Sequence, residues 1–127
     1  AVLSWRSSIS QIKTLEPGAC VGYGCSKRVE AQQNIAIIPV GYADGFKRNL
    51  GEGKGGVYIN GQYCPTIGRV CMDMIMVCVS TDVNLKDEVE IIGAHQTLNS
   101  LAAAANTIPY EILTSISPRV QRIYTND

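Results

Sequence analysis

A chain of 127 residues, 46% of them hydrophobic, is long enough to bury one hydrophobic core. Eleven basic and eleven acidic side chains give a net charge of zero, which excludes the electrostatic footprint of a nucleic-acid-binding protein. The longest unbroken apolar run, residues 74–79, is far shorter than the roughly 20 residues that cross a bilayer. Composition therefore favours a single domain that contacts neither nucleic acid nor membrane.

The chemistry-bearing residues exclude two common kinds of site. Five cysteines without a CxxC pair, together with a single histidine at His95, form no metal-binding pattern, so we expect no metal site. One histidine and no serine elbow also leave acyl transfer unsupported. We interpret the cysteines as free thiols of a protein that works in the reducing cytoplasm.

The N-terminal half of the chain alternates between short strands and turns. Residues 4–13 roughly alternate in polarity and predict a strand that ends at a Pro-Gly turn. Residues 34–40 predict a second strand, and residues 41–48 predict a turn-rich connection after it. Within residues 57–64, an Asn-Gly pair between alternating residues predicts a two-residue type I′ hairpin.

Residues 66–79 form the most apolar stretch and predict a strand that is buried on both faces. Two charged residues, Arg69 and Asp73, interrupt this run. A buried carboxylate without a partner is unfavourable, so we expect Asp73 to meet a cation, backbone amides or a water-filled cleft. The junction at Asp73 is therefore the predicted place where the core meets the functional surface.

The last third of the chain contains the helical signals. The alanine-rich residues 98–105 predict a short helix that begins at Thr97 or Asn99. Pro109 can occupy the first turn of a second short helix.

Strands are predicted on both sides of these helices. Residues 87–93 alternate charged and apolar side chains and predict a strand with one exposed face, and residues 118–124 predict a closing strand. Together, the predicted strands and helices indicate a mainly β fold. We expect a partly open Greek-key-like barrel with one or two short helices near the C terminus.

Tyrosine and arginine side chains concentrate next to glycine turns. Tyr23 lies between two glycines, where the backbone can bend sharply or approach another group closely. Each of these side chains, taken alone, also fits a purely structural role, such as a turn aromatic that covers the core. The set consists of Tyr23, Tyr42, Arg48, Arg69 and Tyr110, together with Asp73.

Four separated motifs resemble the C-terminal domain of the pyridoxal-phosphate-dependent alanine racemases. The likeness covers nearly the whole chain, and the motifs follow the family's order. The motifs are GYG at 22–24, PVGYADGFKR at 39–48, TIGRVCMDM at 66–74 and TIPYEILTSISPRVQRIY at 107–124. The resemblance implies that residues 1–127 are one β domain, the C-terminal part of a longer enzyme whose N-terminal TIM-type barrel is absent here.

The resemblance implies three specific roles. Tyr23 matches the family's catalytic tyrosine, which exchanges a proton with one face of the substrate. Met72, in the CMD motif, matches a methionine whose backbone N–H binds the substrate carboxylate. Tyr110 matches a tyrosine that hydrogen-bonds the phosphate of the cofactor.

Four further residues match the family's substrate corridor and its polar network. They are Tyr42, Arg48, Arg69 and Asp73. Many members of the family carry a second tyrosine four residues after the first, where this chain has Lys27. A corridor or packing contact is therefore expected to differ at this position.

By the resemblance, the full-length enzyme is a homodimer that interconverts L- and D-alanine for peptidoglycan supply. The implied chemistry is a two-base mechanism through a carbanion stabilised by pyridoxal 5′-phosphate. The Schiff-base lysine belongs to the absent barrel, so this domain alone is expected to be inactive and to complete the active site with the barrel of its dimer mate. Two alternatives stay open: a serine or broad-specificity amino-acid racemase domain, and a non-catalytic β interaction module.

Overall fold

The computed structural model describes residues 3–21 and 27–121, which form a mostly β structure with two short helices. The strands are β1 (Trp5–Ser7), β2 (Gln11–Leu15), β3 (Cys20–Val21), β4 (Lys27–Arg28), β5 (Gln33–Ile38), β6 (Gly56–Ile59), β7 (Gln62–Pro65), β8 (Ile75–Val79) and β9 (Val89–Ile92). The helices are α1 (Leu98–Ala104) and α2 (Pro109–Ser115), and a single 3₁₀ turn covers Arg48–Leu50.

The strands form three antiparallel sheets. Four strands pair in the order β1-β9-β6-β7, three pair in the order β2-β5-β8, and β3 pairs with β4. Neither large sheet closes into a barrel within the described ranges. The prediction of a mainly β, partly open fold with short C-terminal helices is confirmed.

One main hydrophobic core lies between the two large sheets. The three-stranded sheet contributes Ala36, Ile38 and Val77, and the four-stranded sheet contributes residues such as Val57 and Ile91. A second, smaller cluster packs on Ile35, so the three-stranded sheet is covered on both faces. Burial on both faces explains why the sequences of β5 and β8 are almost continuously apolar.

The predicted hairpin is present between β6 and β7. Asn60 and Gly61 have φ values of 54° and 75°, as a type I′ turn requires, and Tyr58 lies opposite Tyr63.

The helix signals are also confirmed. The Thr97 side chain accepts a hydrogen bond from the Ser100 N–H at the start of α1, and Pro109 opens α2.

The long strand predicted over residues 66–79 is wrong for its first half. Only β8 (Ile75–Val79) is a continuous strand, and Thr66 adds an isolated bridge to Val77. Gly68 has a φ of +72°, which turns the chain out of the sheet. Residues 67–74 consequently form a loop, and this loop rather than a strand carries Arg69 and Asp73 in exposed positions.

Two other strand predictions need correction. The stretch 4–13 is divided between β1 and β2, which belong to different sheets, because the buried side chain of Ile9 enters the core between them. Residues 118–121 of the predicted closing strand form a turn and bend, and the remainder of that strand lies outside the described residues.

The cysteines do not all agree with the expectation of free thiols. Cys64, Cys71 and Cys78 form no disulfide, but Cys20 is disulfide-bonded. Burial, the first of several causes, raises the pKa of the Cys64 thiol, so this side chain stays protonated inside the core.

Candidate functional site

The candidate site lies where two loops leave the same edge of the three-stranded sheet. Residues 41–48 follow β5, and residues 67–74 precede β8. Because β5 and β8 are antiparallel neighbours with Ile38 opposite Ile75, the two loops begin side by side. We call residues 41–48 the first site loop and residues 67–74 the second site loop.

Backbone hydrogen bonds join the two site loops. The Tyr42 N–H donates to the Cys71 carbonyl and the Ala43 N–H donates to the Met72 carbonyl, each at 3.0 Å. Gly41 makes this approach possible, since a Cβ at this position would lie 2.3 Å from the Cys71 oxygen and 2.4 Å from the Met72 oxygen. A glycine is therefore required here because of space.

The Asp44 carboxylate connects the first site loop to the C-terminal segment. Its Oδ2 accepts a hydrogen bond from the Gly41 N–H at 2.9 Å, and its Oδ1 lies 3.0 Å from the Arg119 Nε. The Asp44 carbonyl also accepts from the Ser117 N–H at 2.9 Å. Asp44 is almost fully buried, so these contacts replace the water it loses on folding.

The cation expected near Asp73 is Arg119. The Arg119 Nη2 donates to the Asp73 Oδ1 at 3.0 Å, so one guanidinium group binds a carboxylate from each site loop. Sequence reasoning missed both Arg119 and Asp44, although both lie inside the motifs that carry the resemblance. Asp44 lies in the turn-rich connection predicted for residues 41–48, and no local signal links it to a residue 75 positions later.

Tyr42 and Arg48 contact each other on the exposed side of the first site loop. The Arg48 guanidinium carbon lies 5.1 Å from the centre of the Tyr42 ring, a distance typical of a cation–π contact. Arg69 is exposed on the second site loop. Among the described contacts, none joins the Arg69 side chain to Tyr42, Arg48 or Asp73.

Helix α2 packs beside the first site loop and carries Tyr110. The Lys47 Nζ lies 3.2 Å from the Glu111 Oε1, and a Cβ at Gly45 would lie 2.6 Å from the Ser115 carbonyl oxygen. A hydrogen bond with the Thr107 side chain and the adjacent Lys47 ammonium lower the pKa of Glu111. Tyr110 is 70% exposed, and its hydroxyl forms no hydrogen bond within the described part of the chain.

Met72 presents its backbone N–H at the junction of the site loops. The residue is 53% exposed, its carbonyl accepts from Ala43, and its own N–H has no acceptor among the described residues. Tyr23, the predicted catalytic residue, lies outside the described residues. The expected convergence of Tyr23 and Met72 therefore stays a prediction.

A second concentration of titratable groups lies on the four-stranded sheet, and sequence reasoning missed it. The Glu90 carboxylate accepts hydrogen bonds from the His95 N–H at 2.7 Å and the Gln96 N–H at 2.8 Å, and it contacts the His95 Nδ1 at 3.1 Å. The His95 ring stacks on Tyr58. Burial raises the pKa of Glu90, but the hydrogen bonds from His95 and Gln96 outweigh it and lower the pKa below its ordinary value.

Metal and membrane features were also sought in residues 3–21 and 27–121. No group of three or more histidine, cysteine, aspartate or glutamate side chains in these ranges could hold a metal ion. No helix in them has the length and apolar character needed to span a membrane.

Comparison with known proteins supplies the family. Residues 2–124 match the family model described as "Alanine racemase, C-terminal domain". The chain is 42% identical over 128 residues to the alanine racemase of Symbiobacterium thermophilum, a match that covers 96% of this chain and 34% of that protein. It is 44% identical over 126 residues to the alanine racemase of Staphylococcus carnosus, with 94% and 32% covered.

Solved structures agree with this result. The crystal structure of alanine racemase from Bartonella henselae with covalently bound pyridoxal phosphate superposes with a TM-score of 0.91 at 39% identity. The superposition covers 98% of this chain and 35% of that chain. The biosynthetic alanine racemase of Pseudomonas aeruginosa gives a TM-score of 0.90 at 32% identity, with 97% and 35% covered.

The two sheets and the paired site loops thus define the class of protein. It is a mainly β domain whose candidate functional residues lie on loops at one end of the three-stranded sheet. The chain belongs to the family of alanine racemase C-terminal domains. It spans about a third of the length of the curated relatives it matches.

Proposed function

We propose that this chain is the C-terminal domain of an alanine racemase that interconverts L- and D-alanine. Family membership and about 40% identity to alanine racemases support this proposal. The single observation that carries it is the Met72 N–H at the junction of the two site loops, which has no acceptor among the described residues and belongs to a residue that is 53% exposed. An amide without an internal acceptor is suited to bind an anion such as the carboxylate of an amino acid.

The substrate carboxylate is the proposed ligand of the Met72 N–H. A hydrogen bond from a backbone amide to a carboxylate is stronger than a bond between neutral groups, and it fixes the orientation of the amino acid. Orientation matters because racemisation breaks the Cα–H bond on one face of the substrate and forms a new Cα–H bond on the opposite face. The site loops therefore have the proposed role of aligning the Cα–H bond with the proton-transferring groups.

Tyr23 is the proposed acid and base at one face of the substrate Cα. Racemisation removes a proton from one face and returns one to the other, so a second base is needed, and we propose that it lies in a preceding barrel domain. A phenol with a pKa of about 10 acts as a base near neutral pH only if adjacent cations lower that pKa. When bound, pyridoxal 5′-phosphate supplies an electron sink that makes the Cα hydrogen acidic.

Tyr110 is the residue of this chain that is proposed to hold the cofactor phosphate. Its exposed hydroxyl, which has no partner in the described part of the molecule, is free to donate to a phosphate oxygen. We also propose that the substrate corridor is lined by Tyr42, Arg48, Arg69 and Asp73. The cation–π pair and the carboxylate of these four residues give the corridor the polar lining that a zwitterionic amino acid requires.

The proposed partners are the barrel domain of the same polypeptide and the barrel of a dimer mate. Large apolar side chains are exposed on the same segments that form the site, and such patches mark contact surfaces. They are Tyr42, Met72, Ile108, Tyr110 and Leu113. We propose that this surface is covered in the homodimer, that residues 1–127 form one β domain, and that this domain is inactive alone.

A cytoplasmic role in D-alanine supply for peptidoglycan completes the proposal. Cys64, Cys71 and Cys78 form no disulfide, the state that a reducing compartment maintains, whereas Cys20 is disulfide-bonded. D-alanine is the product that a racemase of this family would deliver to cell-wall synthesis.

Substitution of Tyr23 by Phe in the full-length protein tests the proposal. Removing the hydroxyl should eliminate proton exchange at one face of the substrate, so L-to-D conversion should fall by at least about 100-fold with cofactor binding retained. Tyr63→Phe is the matched control, because Tyr63 is an exposed tyrosine on the four-stranded sheet. Conversion in the two directions must fall together, because L- and D-alanine are equally stable. Exchange of the Cα hydrogen with deuterated solvent, measured separately for L- and D-alanine, would detect the loss at one face.

Three results would count against the proposal. Near-normal racemisation by the Tyr23→Phe variant contradicts the assigned role of Tyr23. A higher kcat/KM for serine than for alanine favours the broader amino-acid racemase. Absence of any racemase activity in the wild-type full-length protein favours an interaction module.

A further inference from the structure

Arg119 is the residue that ties the two site loops together. We propose that Arg119 is a positioning residue for the substrate carboxylate, because it holds the site loops in the arrangement that aims the Met72 N–H. This inference rests on the function proposed above, since it concerns how the same site binds its substrate. In this proposal Arg119 acts on the substrate indirectly, by holding the site loops, and does not contact the substrate itself.

The charge around Arg119 excludes a direct role for it. Its Nε contacts the Asp44 Oδ1 and its Nη2 contacts the Asp73 Oδ1, both at 3.0 Å. Two carboxylates already outnumber the single positive charge of the guanidinium group. A third carboxylate, from a substrate, would therefore meet net negative charge at this position.

The connection from Arg119 to the Met72 amide runs through the first site loop. The Asp44 carboxylate that Arg119 binds also accepts the Gly41 N–H at 2.9 Å. The next two N–H groups, those of Tyr42 and Ala43, donate to the Cys71 and Met72 carbonyls. Arg119 thus fixes the turn that presents these donors to the second site loop.

The geometry of one peptide bond completes the argument. The Cys71 carbonyl and the Met72 N–H belong to the same planar, trans peptide unit and point in opposite directions. When the Tyr42 N–H holds the Cys71 oxygen, the Met72 N–H must point away from the first site loop. Any rotation of this peptide unit would break the Tyr42 bond and turn the amide away from its ligand.

The two ion pairs of Arg119 differ in exposure. The Arg119 side chain is 53% exposed and that of Asp73 is 64% exposed, so the pair between them adds little to folding stability. The Asp44 partner is only 12% exposed, so Arg119→Gln should also lower the melting temperature. A positioning role is therefore distinguished by the amide exchange of the site loops and by the KM.

The test compares Arg119→Gln and Arg119→Lys in the full-length protein. Amide hydrogen exchange of the segment 41–46 reports the Tyr42 and Ala43 hydrogen bonds directly. Arg119→Gln should speed this exchange by about tenfold and raise the KM for alanine by about tenfold, with kcat changed less than about threefold. Arg119→Lys, which keeps the charge but not the planar fork, should give an intermediate result.

Arg6→Gln is the matched control variant. Arg6 is also an exposed arginine paired with a carboxylate, Glu88 at 3.4 Å, but it lies on the four-stranded sheet. Its substitution should change neither the exchange of segment 41–46 nor the KM. If Arg6→Gln had the same effects as Arg119→Gln, a positioning role specific to Arg119 would be excluded.

Two other outcomes overturn the inference. Unchanged exchange in segment 41–46 of Arg119→Gln would show that Arg119 does not lock the loops. A lower melting temperature with an unchanged KM would assign Arg119 a purely structural role. The exchange measurement needs no enzymatic activity, so it decides the role of Arg119 even if the wild-type protein lacks racemase activity and the proposed function fails.

Discussion

The site loops and the Glu90–His95 pair are both concentrations of charged and aromatic groups, but their hydrogen bonding differs. In the Glu90–His95 pair, the Glu90 carboxylate accepts three hydrogen bonds from its own neighbours, which uses most of its capacity. In the site loops and the adjacent helix α2, the internal bonds fix the backbone and leave the Met72 N–H and the Tyr110 hydroxyl without a described acceptor.

This difference distinguishes the proposed binding site from a structural cluster. Perturbed pKa values and crowded polar groups occur in both regions, so neither feature is sufficient. The site region combines a rigid scaffold with donors that point outward, and this combination is required for binding a ligand in one orientation. The three predictions below test this distinction in order of decreasing effect.

Removal of a core side chain from each region should give the largest effects. Phe46 anchors the first site loop and Ile91 lies beside Glu90, and both are 0% exposed. Phe46→Ala should reduce the free energy of unfolding by about 3–5 kcal/mol and Ile91→Ala by about 2–5 kcal/mol. Chemical denaturation checks these values.

Substrate binding should separate these two core variants. Phe46→Ala loosens the first site loop and should raise the KM for alanine in the full-length protein. Ile91→Ala should leave the KM unchanged at temperatures where the protein stays folded. Equal changes in KM would show that the two regions do not differ in the way described.

Gly41→Ala should have the next largest effect. The added Cβ would collide with backbone atoms of Cys71 and Met72, which cannot move aside as a flexible side chain can, so we expect a loss of about 2–3 kcal/mol in stability. Gly18→Ala is the control, since Gly18 has a φ of +89° but no atom within 4 Å of the added Cβ. It should lose about 1 kcal/mol from backbone strain alone, without a change in KM. Thermal unfolding and steady-state kinetics measure both variants.

The sequence predicts the features that depend on neighbouring residues. The Asn60-Gly61 turn, the Thr97 cap and the Pro109 helix start each follow from a few adjacent side chains. The apolar pattern of residues 66–79 was misleading, because the buried residues of the second site loop look like strand residues until Gly68 turns the chain. Local pattern therefore predicts most elements but not where this strand begins.

The centre of the site could not be predicted from local sequence. Asp73 and Arg119 are 46 positions apart, and their pairing depends on how the two site loops and the end of α2 come together. The expectation that Asp73 would meet a cation, backbone amides or a water-filled cleft assumed a buried carboxylate. Asp73 does meet a cation, Arg119, but its side chain is 64% exposed, so the cost of burial does not explain the contact. The resemblance to the racemase family supplied the proposed roles of Tyr23, Met72 and Tyr110, which periodicity alone could not provide.

Glu90→Gln should have the smallest effect and should depend on pH. The folded-state pKa of Glu90 lies below its ordinary value of about 4.5, so the carboxylate stabilises the fold above that value. This contribution is lost as the pH falls from about 4.5 through the folded-state pKa. The variant should be less stable by about 1 kcal/mol at pH 5 to 6, and the difference should shrink toward pH 3. A difference that grows on acidification, measured by urea denaturation, would contradict the lowered pKa.

The central claim, that the locked site loops present the Met72 N–H to a carboxylate, can be tested by observing that amide directly. Cys71-Met72 is the only Cys-Met pair in this chain, so carbonyl-¹³C cysteine with ¹⁵N methionine labels this amide specifically within the domain. In the full-length protein, addition of alanine should shift the Met72 resonance and slow its exchange with solvent, with no comparable change at Met76 in β8. An unchanged Met72 resonance at saturating alanine would contradict the account.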